Sequence, residues 1–413
     1  MFESSLQIIN YFETLKVRNL HVVLLSHEYP PFIYGGIGAF LQSLARGLSK
    51  NGLKVTIVSG YPVPSGHFSR VKIEEEEKIG VDVVRVPYLN MPPRHTYFQL
   101  LNLKKLYGII KKIDVDVIHG QSGSTFPSLL NLKNLAPIVT TFHSSPKVEK
   151  TISSFSLGHG GSFGDFRTYV AGYPIMSFIF RKELSNSRIA VAVSRTLMFE
   201  LLEEMGNKFR EKMCSIHNGV NIEALDEEYR RVENEKESDD TILFAGRLYW
   251  RKGALTLIKL AQIFQKEKLH FTIIVHGVGP LFDNMRKQIK TLGLNNIKLK
   301  GFTTKSKLMR SIKRCRFVAI PSFYEACPMI LLESMCLGKI PIMFDLPYAR
   351  EFTQNGRYGI LAKSVEDMVS RIRMVHENVD ISILGNEIQS YARKKYDING
   401  IAQKYYDLYK KVC

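Results

Sequence analysis

The stretch "RFVAIPSFYEACPMILLESMCLGKIPIMFD", residues 316–345, decides the fold. "RFVAIPS" (316–322) and "KIPIMFD" (339–345) are short apolar runs of strand length. Between them Pro328 suits a first helical position, "MILLESMCL" continues as a helix, and Gly338 ends it. Two strands with no polar alternation, joined through a helix, form a parallel βαβ unit covered on both faces. The same rhythm runs outward in both directions. "LHVVLLS" (20–26), "LKVTIVSG" (53–60), "VDVVRVP" (81–87), "VDVIHG" (115–120), "PIVTTFH" (137–143), "IAVAVS" (189–194) and "MCSIHNG" (213–219) read as one set of buried parallel strands. "TILFAGR", "HFTIIVHG" and "NIKLKGF" join the two strands above in a second set after residue 240. The expected fold is α/β, with two Rossmann-like, doubly wound parallel sheets facing a cleft. The polar segment "LDEEYRRVENEKESDD" (225–240) is the expected linker, or a solvated helix leading into one.

Composition narrows the function classes. A chain of 413 residues suffices for two domains with separate cores. Its five cysteines, at 214, 315, 327, 336 and 413, are scattered without C-x-x-C spacing, which favours reduced thiols and a cytoplasmic home. The opening twenty residues lack the apolar core of a secretory signal, and no window is long enough for a spanning helix. A formal net charge of +18 implies attraction to something anionic: nucleic acid, acidic lipid or phosphorylated small molecules.

In open α/β sheets ligands gather beyond the carboxyl ends of the strands, so the informative residues follow each strand. After the first strand, Gly35, Gly36 and Gly38 open a helix whose apolar face is Phe40, Leu41, Leu44 and Leu48. Such a start either admits an anion to the backbone N–H groups or is a flexible turn. Leu41 stands where a dinucleotide fingerprint has its third glycine. "RLYWRKG" crowds Arg247, Arg251 and Lys252 at the start of the next helix, where cations oppose the macrodipole unless an anion is bound. His143 ends a buried strand; His27, His119, His159 and His217 do so nearly as well. No H-E-x-x-H, G-x-S-x-G or metal-spaced acidic cluster occurs. Glu325 and Glu333 lie beside one helix start, Glu325 in the loop and Glu333 in the second turn, facing one elongated ligand rather than each other as an acid/base pair. Ribose or sugar hydroxyls, or an internal arginine, would satisfy a carboxylate on so apolar a helix.

Together these residues resemble the retaining glycosyltransferases of GT-B fold, family 4, a group that includes glycogen synthases and phosphatidylinositol mannosyltransferases. The resemblance runs through "YGGIGAFLQSLARGLSKNGLKVTIV", "DVDVIHG", "PIVTTFH", "AVAVS", "CSIHNGVNIE", "LFAGRLYWRKG", "PSFYEACPMILLESMCLGKIPI" and "NGRYGIL", in that order. It implies an acceptor domain over residues 1–223, completed by a terminal helix at 395–413, and a donor domain over 224–394. It implies that Arg247 and Lys252, the R-x4-K pair, hold the donor diphosphate, and that Glu333 grips the ribose. Glu325 would approach the donor sugar, aided by the backbone of Cys327, Pro328, Met329 and Ile330. Gly36 would meet the phosphates, and His143 would touch the sugar from the opposite wall. The implied reaction is transfer from a UDP-, GDP- or ADP-sugar to a carbohydrate, glycolipid or lipid-linked acceptor by front-face displacement, with no cofactor and no metal. Three departures stand out: His276 and Val278 in "VHGVGPL", Ala326 and Cys327 in "YEACP", and no glycine pair before Glu351 in "FDLPYAREF".

Two other classes compete. One keeps the scaffold for epimerase or phosphorylase chemistry, although no cofactor lysine site is evident. The other is a non-catalytic binding protein using its basic surface, although no nucleic-acid motif is present, and no nucleic-acid partner is expected. The glycine-rich segment "SLGHGGSFGDFRTY" (156–169) reads as an acceptor lid or a plain loop. "NLKKLYGIIKKI" (102–113) is basic and amphipathic, which suits peripheral contact with an anionic membrane as well as simple solvation.

Overall fold

A computed structural model of the chain describes residues 20–33, 35–63, 72–76, 80–89, 94–122, 132–156, 166–232 and 238–413. The first half runs β1 (His21–Ser26), α1 (Gly36–Lys50), β2 (Lys54–Val63), β3 (Lys72–Glu76), β4 (Val81–Leu89), α2 (Arg94–Lys111), β5 (Val117–Gln121), β6 (Ile138–Phe142), α3 (Pro146–Ser156), α4 (Tyr173–Asn186), β7 (Ile189–Ala192), α5 (Arg195–Met205) and β8 (Met213–Ser215). The second runs α6 (Ile222–Arg230), β9 (Ser238–Ala245), α7 (Ala254–Lys266), β10 (Thr272–His276), α8 (Phe282–Thr291), β11 (Ile297–Gly301), α9 (Lys305–Arg314), β12 (Cys315–Ile320), α10 (Met329–Cys336), β13 (Ile340–Phe344), α11 (Pro347–Thr353), β14 (Ile360–Ala362), α12 (Val365–Asn378), α13 (Ile381–Tyr396) and α14 (Ile398–Val412).

Two sheets result, ordered β3-β4-β2-β1-β5-β6-β7-β8 and β11-β10-β9-β12-β13-β14. Every pairing is parallel except β3 against β4. The parallel strands are apolar because helices cover both faces: Val22 to Leu25 of β1 are fully buried. The antiparallel edge strand β3, "KIEEE", escaped the sequence reading because it is held by backbone pairing and carries almost no apolar pattern. β14 escaped it by being three residues long.

Of the two readings of 225–240, a linker or a helix leading into one, the structure shows a helix at its start. α6 occupies its beginning, started by the Asn221 side chain, which accepts from the Ala224 N–H at 3.1 Å. Leu225 is buried and Asp226 pairs with Arg393, so the helix is docked at these two positions while Glu223, Glu227 and Arg231 stay exposed. β9 begins at Ser238, and residues 233–237 lie outside the described ones. The chain enters the second core earlier: Ile216 belongs to the first, Val220 to the second. It returns between Tyr396 and Ile398, and the two passages are bonded, Val220 N–H to Tyr396 O at 2.7 Å and Ile398 N–H to Val220 O at 2.9 Å.

α14 then packs on α1. Gly47 sits so close to it that an added Cβ would lie 2.7 Å from the Ala402 Cβ. Ile401, Tyr405 and Tyr409 complete the first core alongside Phe40, Leu41, Leu44 and Leu48. Each such apolar side chain contributes roughly 1.5–3 kcal/mol on burial. Inside this interface His119 bonds the Tyr409 hydroxyl at 2.6 Å and the Thr141 hydroxyl at 2.8 Å, and burial pushes its imidazole down to about 3, so it is neutral.

Candidate active site

Apart from β3, the strands within each sheet run parallel, so in each domain the loops that follow them gather at one edge of the sheet. In the second domain the loop after β9 carries Arg247 to Lys252. Its backbone is zipped to the loop after β10: Gly246 N–H reaches His276 O at 3.0 Å, Leu248 N–H reaches Val278 O at 3.0 Å, and Leu281 N–H reaches Leu248 O at 3.1 Å. Only glycine fits this approach, since a Cβ at Gly277 would stand 1.8 Å from Gly246 O and one at Gly279 2.3 Å from Leu248 O. His276, an unusual residue for the pattern, bonds the Ser311 hydroxyl at 2.7 Å; burial, then the charge of Lys300, holds its imidazole below the ordinary range.

The three cations at this loop divide. The Lys252 ammonium pairs with Glu325 and the Arg251 guanidinium with Glu149 of α3 in the first domain. Arg251 is held flat by the Tyr249 hydroxyl, at 2.9 and 2.6 Å. Arg247 is exposed, lies over the Tyr249 ring at 5.5 Å, and carries no ion pair among the described residues. The anion that so cationic a helix start demands is therefore supplied internally to Arg251 and Lys252 and left open at Arg247.

Glu325 follows β12 in a buried loop. Burial pushes its carboxyl up, but the charges of Lys252 and Arg251 and bonds from Lys252 and the Ser322 hydroxyl, the latter at 2.8 Å, prevail and hold it below the ordinary range. Ser322 is itself fixed by the Tyr348 hydroxyl, which donates to its carbonyl at 2.7 Å. Pro328 is the N-cap of α10 rather than its first residue, and no side chain caps that helix. Glu333, one turn in, makes no hydrogen bond among the described residues. Burial, opposed by Lys305 and reinforced by Glu228, pushes its carboxyl up to about 7. Cys327 remains a thiol, because burial raises its pKa well above the ordinary value.

The facing wall belongs to the first domain. Gly36 begins α1, and a Cβ there would meet Met329 Cγ at 3.2 Å, so the two domains touch beside the α10 start. The sequence reading missed Glu28. Its buried carboxylate accepts from the Gly35 N–H and the Gly38 N–H, each at 3.1 Å, and so takes the anion position that a glycine-rich helix start offers. The signal was present, a carboxylate just after β1, but nothing in the sequence paired it with glycines further along. His143 directly follows β6, with Nε2 2.7 Å from the Gln121 side-chain oxygen. Burial, then the charge of His27, pushes it down to about 3, so it offers a neutral imidazole.

Further bonds cross the cleft. The Tyr324 hydroxyl donates to Glu200 at 3.0 Å. Glu351 accepts from the Arg195 N–H, the Thr196 N–H and the Thr196 hydroxyl, and pairs with His217, all at 2.8 Å. Burial pushes the Glu351 carboxyl up, but these bonds prevail and bring it down to about 2. The structure thus sets Gly36 against Met329 and Lys252 against Glu325, with Arg247 on the same loop as Lys252 and Glu333 within α10, while His143 lies in the first domain beside Phe40 of α1 and Gln121. The 156–169 loop lies largely outside the described residues. Among the described residues no cluster of three metal-ligating side chains occurs.

Comparison with known proteins bears on the family and the fold. The family described as "Glycosyltransferase Family 4" matches residues 34–224, and "Glycosyl transferases group 1" matches residues 226–395. An uncharacterized glycosyltransferase of Methanocaldococcus jannaschii is 26% identical over 408 residues, covering 94% of each chain. Sucrose-phosphate synthase from Thermosynechococcus elongatus superposes with a TM-score of 0.76 at 15% identity, covering 95% of this chain and 99% of that one. The Anabaena protein HepE in complex with UDP and glucose superposes with a TM-score of 0.64 at 17% identity, covering 95% and 100%. With two GT-B domains and both family matches in tandem along it, this chain belongs to the group 1, family 4 glycosyltransferases.

Proposed function

We propose that this glycosyltransferase takes its sugar from a nucleoside-diphosphate sugar and transfers it, with retention at the anomeric carbon, to a carbohydrate, glycolipid or lipid-linked acceptor. The observation that carries the reading is that the donor domain holds both a cation with no ion pair among the described residues, Arg247 in the loop after β9, and a carboxylate with no hydrogen bond among them, Glu333 in α10. A diphosphate beside Arg247 and Lys252 and a ribose at Glu333 satisfy both. The likeness of the fold to a protein solved with UDP supports the same ligand class.

In this reading Lys252 releases Glu325 to meet the donor diphosphate, and Glu325, still held by Ser322, turns to the sugar hydroxyls. Arg247 and Lys252 stabilise charge growing on the departing phosphate, so we assign that role to side chains rather than to a metal ion. The bond from C1 to the phosphate oxygen breaks and a bond from C1 to the acceptor oxygen forms on the same face. The acceptor proton passes to the departing phosphate. The neutral His143 hydrogen-bonds the sugar without adding charge. The exposed Lys104, Lys105, Lys111 and Lys112 support peripheral contact with anionic lipid. No helix among the described residues is long and apolar enough to cross a membrane.

The deciding experiment is thermal stabilisation across UDP, GDP, ADP and their sugars, followed by NMR of the product anomer in the presence and absence of EDTA. Stabilisation by one nucleotide, a retained anomer and indifference to EDTA are expected. No stabilisation by any of them sinks the donor assignment, and an inverted anomer sinks the front-face mechanism.

A further inference from the structure

A second pocket lies at the seam between α5 of the first domain and α11 of the second, with a volume of about 930 Å³, within the size range of ligand sites. Its floor is closed by Glu351, which is fully occupied by the Arg195 and Thr196 N–H groups, the Thr196 hydroxyl and His217. Two of its charges are likewise committed: Arg350 grips Asp345 at 2.6 and 2.9 Å, and Lys395 donates to the Tyr391 hydroxyl at 2.6 Å. What remains to meet a ligand is of a different kind. Phe199 presents its ring on the outer face of α5, 54% exposed. Opposite stand the side-chain amides of Gln354 and Asn355, which make no hydrogen bonds among the described residues. Both sit at positive φ, 50° and 57°, in the left-handed turn that ends α11, with the Asn355 N–H on Arg350 O at 2.8 Å. Among the described residues the Arg195 guanidinium carries no ion pair, Glu200 bonds only Tyr324, and Glu203 is paired with Lys147.

An aromatic face, two amides that both donate and accept, one guanidinium and one carboxylate suit a neutral ring bearing many hydroxyls. A phosphate would instead face Glu200, Glu203 and Glu351. We propose that this pocket is a saccharide subsite, separate from the donor site, holding one neutral sugar unit against Phe199 with its hydroxyls on Gln354, Asn355 and Glu200. It goes beyond the donor reading and does not rest on it, because none of its residues is among those assigned to the nucleotide sugar. Since α5 and α11 belong to different domains, an occupant also bridges them.

The test is saturation-transfer NMR with a panel of neutral gluco-, manno-, galacto- and N-acetylglucosamine oligosaccharides at millimolar concentration, run with and without saturating nucleotide. At least one member should bind, persist when the nucleotide is present, and lose at least tenfold in affinity in Phe199→Ala and several-fold in Asn355→Gly. Both positions are exposed and glycine accepts the Asn355 backbone, so these variants should melt as the parent does. No binding by any member overturns the subsite, as does binding that survives Phe199→Ala or that nucleotide displaces. Stronger binding of a sugar phosphate than of the neutral sugar at this pocket also overturns it. Donor stabilisation, measured on the same samples, reports separately on the proposed function.

Discussion

At the scale of single residues, Glu333 and Lys252 give the sharpest expectations. A carboxyl ordinarily near 4.5 that titrates near 7 in the fold keeps a proton that the unfolded chain has lost over that interval. Its contribution to stability is complete below about 4.5 and is lost as pH rises through about 7. Ribose hydroxyls donate to the ionised form, so nucleotide affinity should rise about tenfold between pH 6 and 8. Calorimetric titration across that range should show the rise in the parent chain and a flat profile in Glu333→Gln. Lys252→Ala has two effects that can be separated. It removes a diphosphate ligand, lowering transfer by roughly a hundredfold or more. It also leaves Glu325 buried with fewer partners, costing on the order of 1–3 kcal/mol. Denaturant unfolding of Lys252→Ala, Glu325→Gln and the pair should show that the double variant recovers stability but not transfer.

At the scale of elements, the loop that presents Arg247 depends on backbone contact with the loop after β10. Gly277→Ala would force a Cβ to within 1.8 Å of Gly246 O at φ 139°. It should lose more than about 2 kcal/mol in denaturant unfolding. Gly293→Ala, also at positive φ but with nothing within 4 Å, should lose only about 1 kcal/mol. Equal losses in the two would show that the loop contact contributes nothing beyond backbone strain. Here the sequence was partly legible: the glycines of "VHGVGPL" were visible, but their partner at Gly246 was not, because it lies 31 residues away on another strand end. The Lys252 and Arg251 counter-ions were equally hidden, since Glu325 and Glu149 arrive from other elements and Glu149 from the other domain.

At the scale of the whole molecule, Glu351 ties the domains together. Its carboxyl is brought down to about 2 in the fold, so its stabilisation is present above about 4.5 and is lost as pH falls through about 2. Glu351→Gln should therefore cost on the order of 1–3 kcal/mol at neutral pH and flatten the acid limb of the stability curve. Unfolding followed by circular dichroism between pH 2 and 7 checks both. Removal of α14 takes Ile401, Tyr405 and Tyr409 out of the first core, and the shortened chain should lose cooperative melting.

Strand periodicity, glycine placement and the spacing of Arg247 with Lys252 and of Glu325 with Glu333 determined the sheets, the cleft and the family. These are local properties, set by which residues a buried strand or a helix start accepts. Tertiary structure alone decided that Glu28 fills the α1 start, that 225–240 is not simply a linker, and which carboxylates neutralise Arg251 and Lys252. Each depends on which distant groups the topology brings within a few ångströms: Lys252, Arg251 and Ser322 hold Glu325 ionised against its burial, whereas burial without such partners raises Glu333 to about 7.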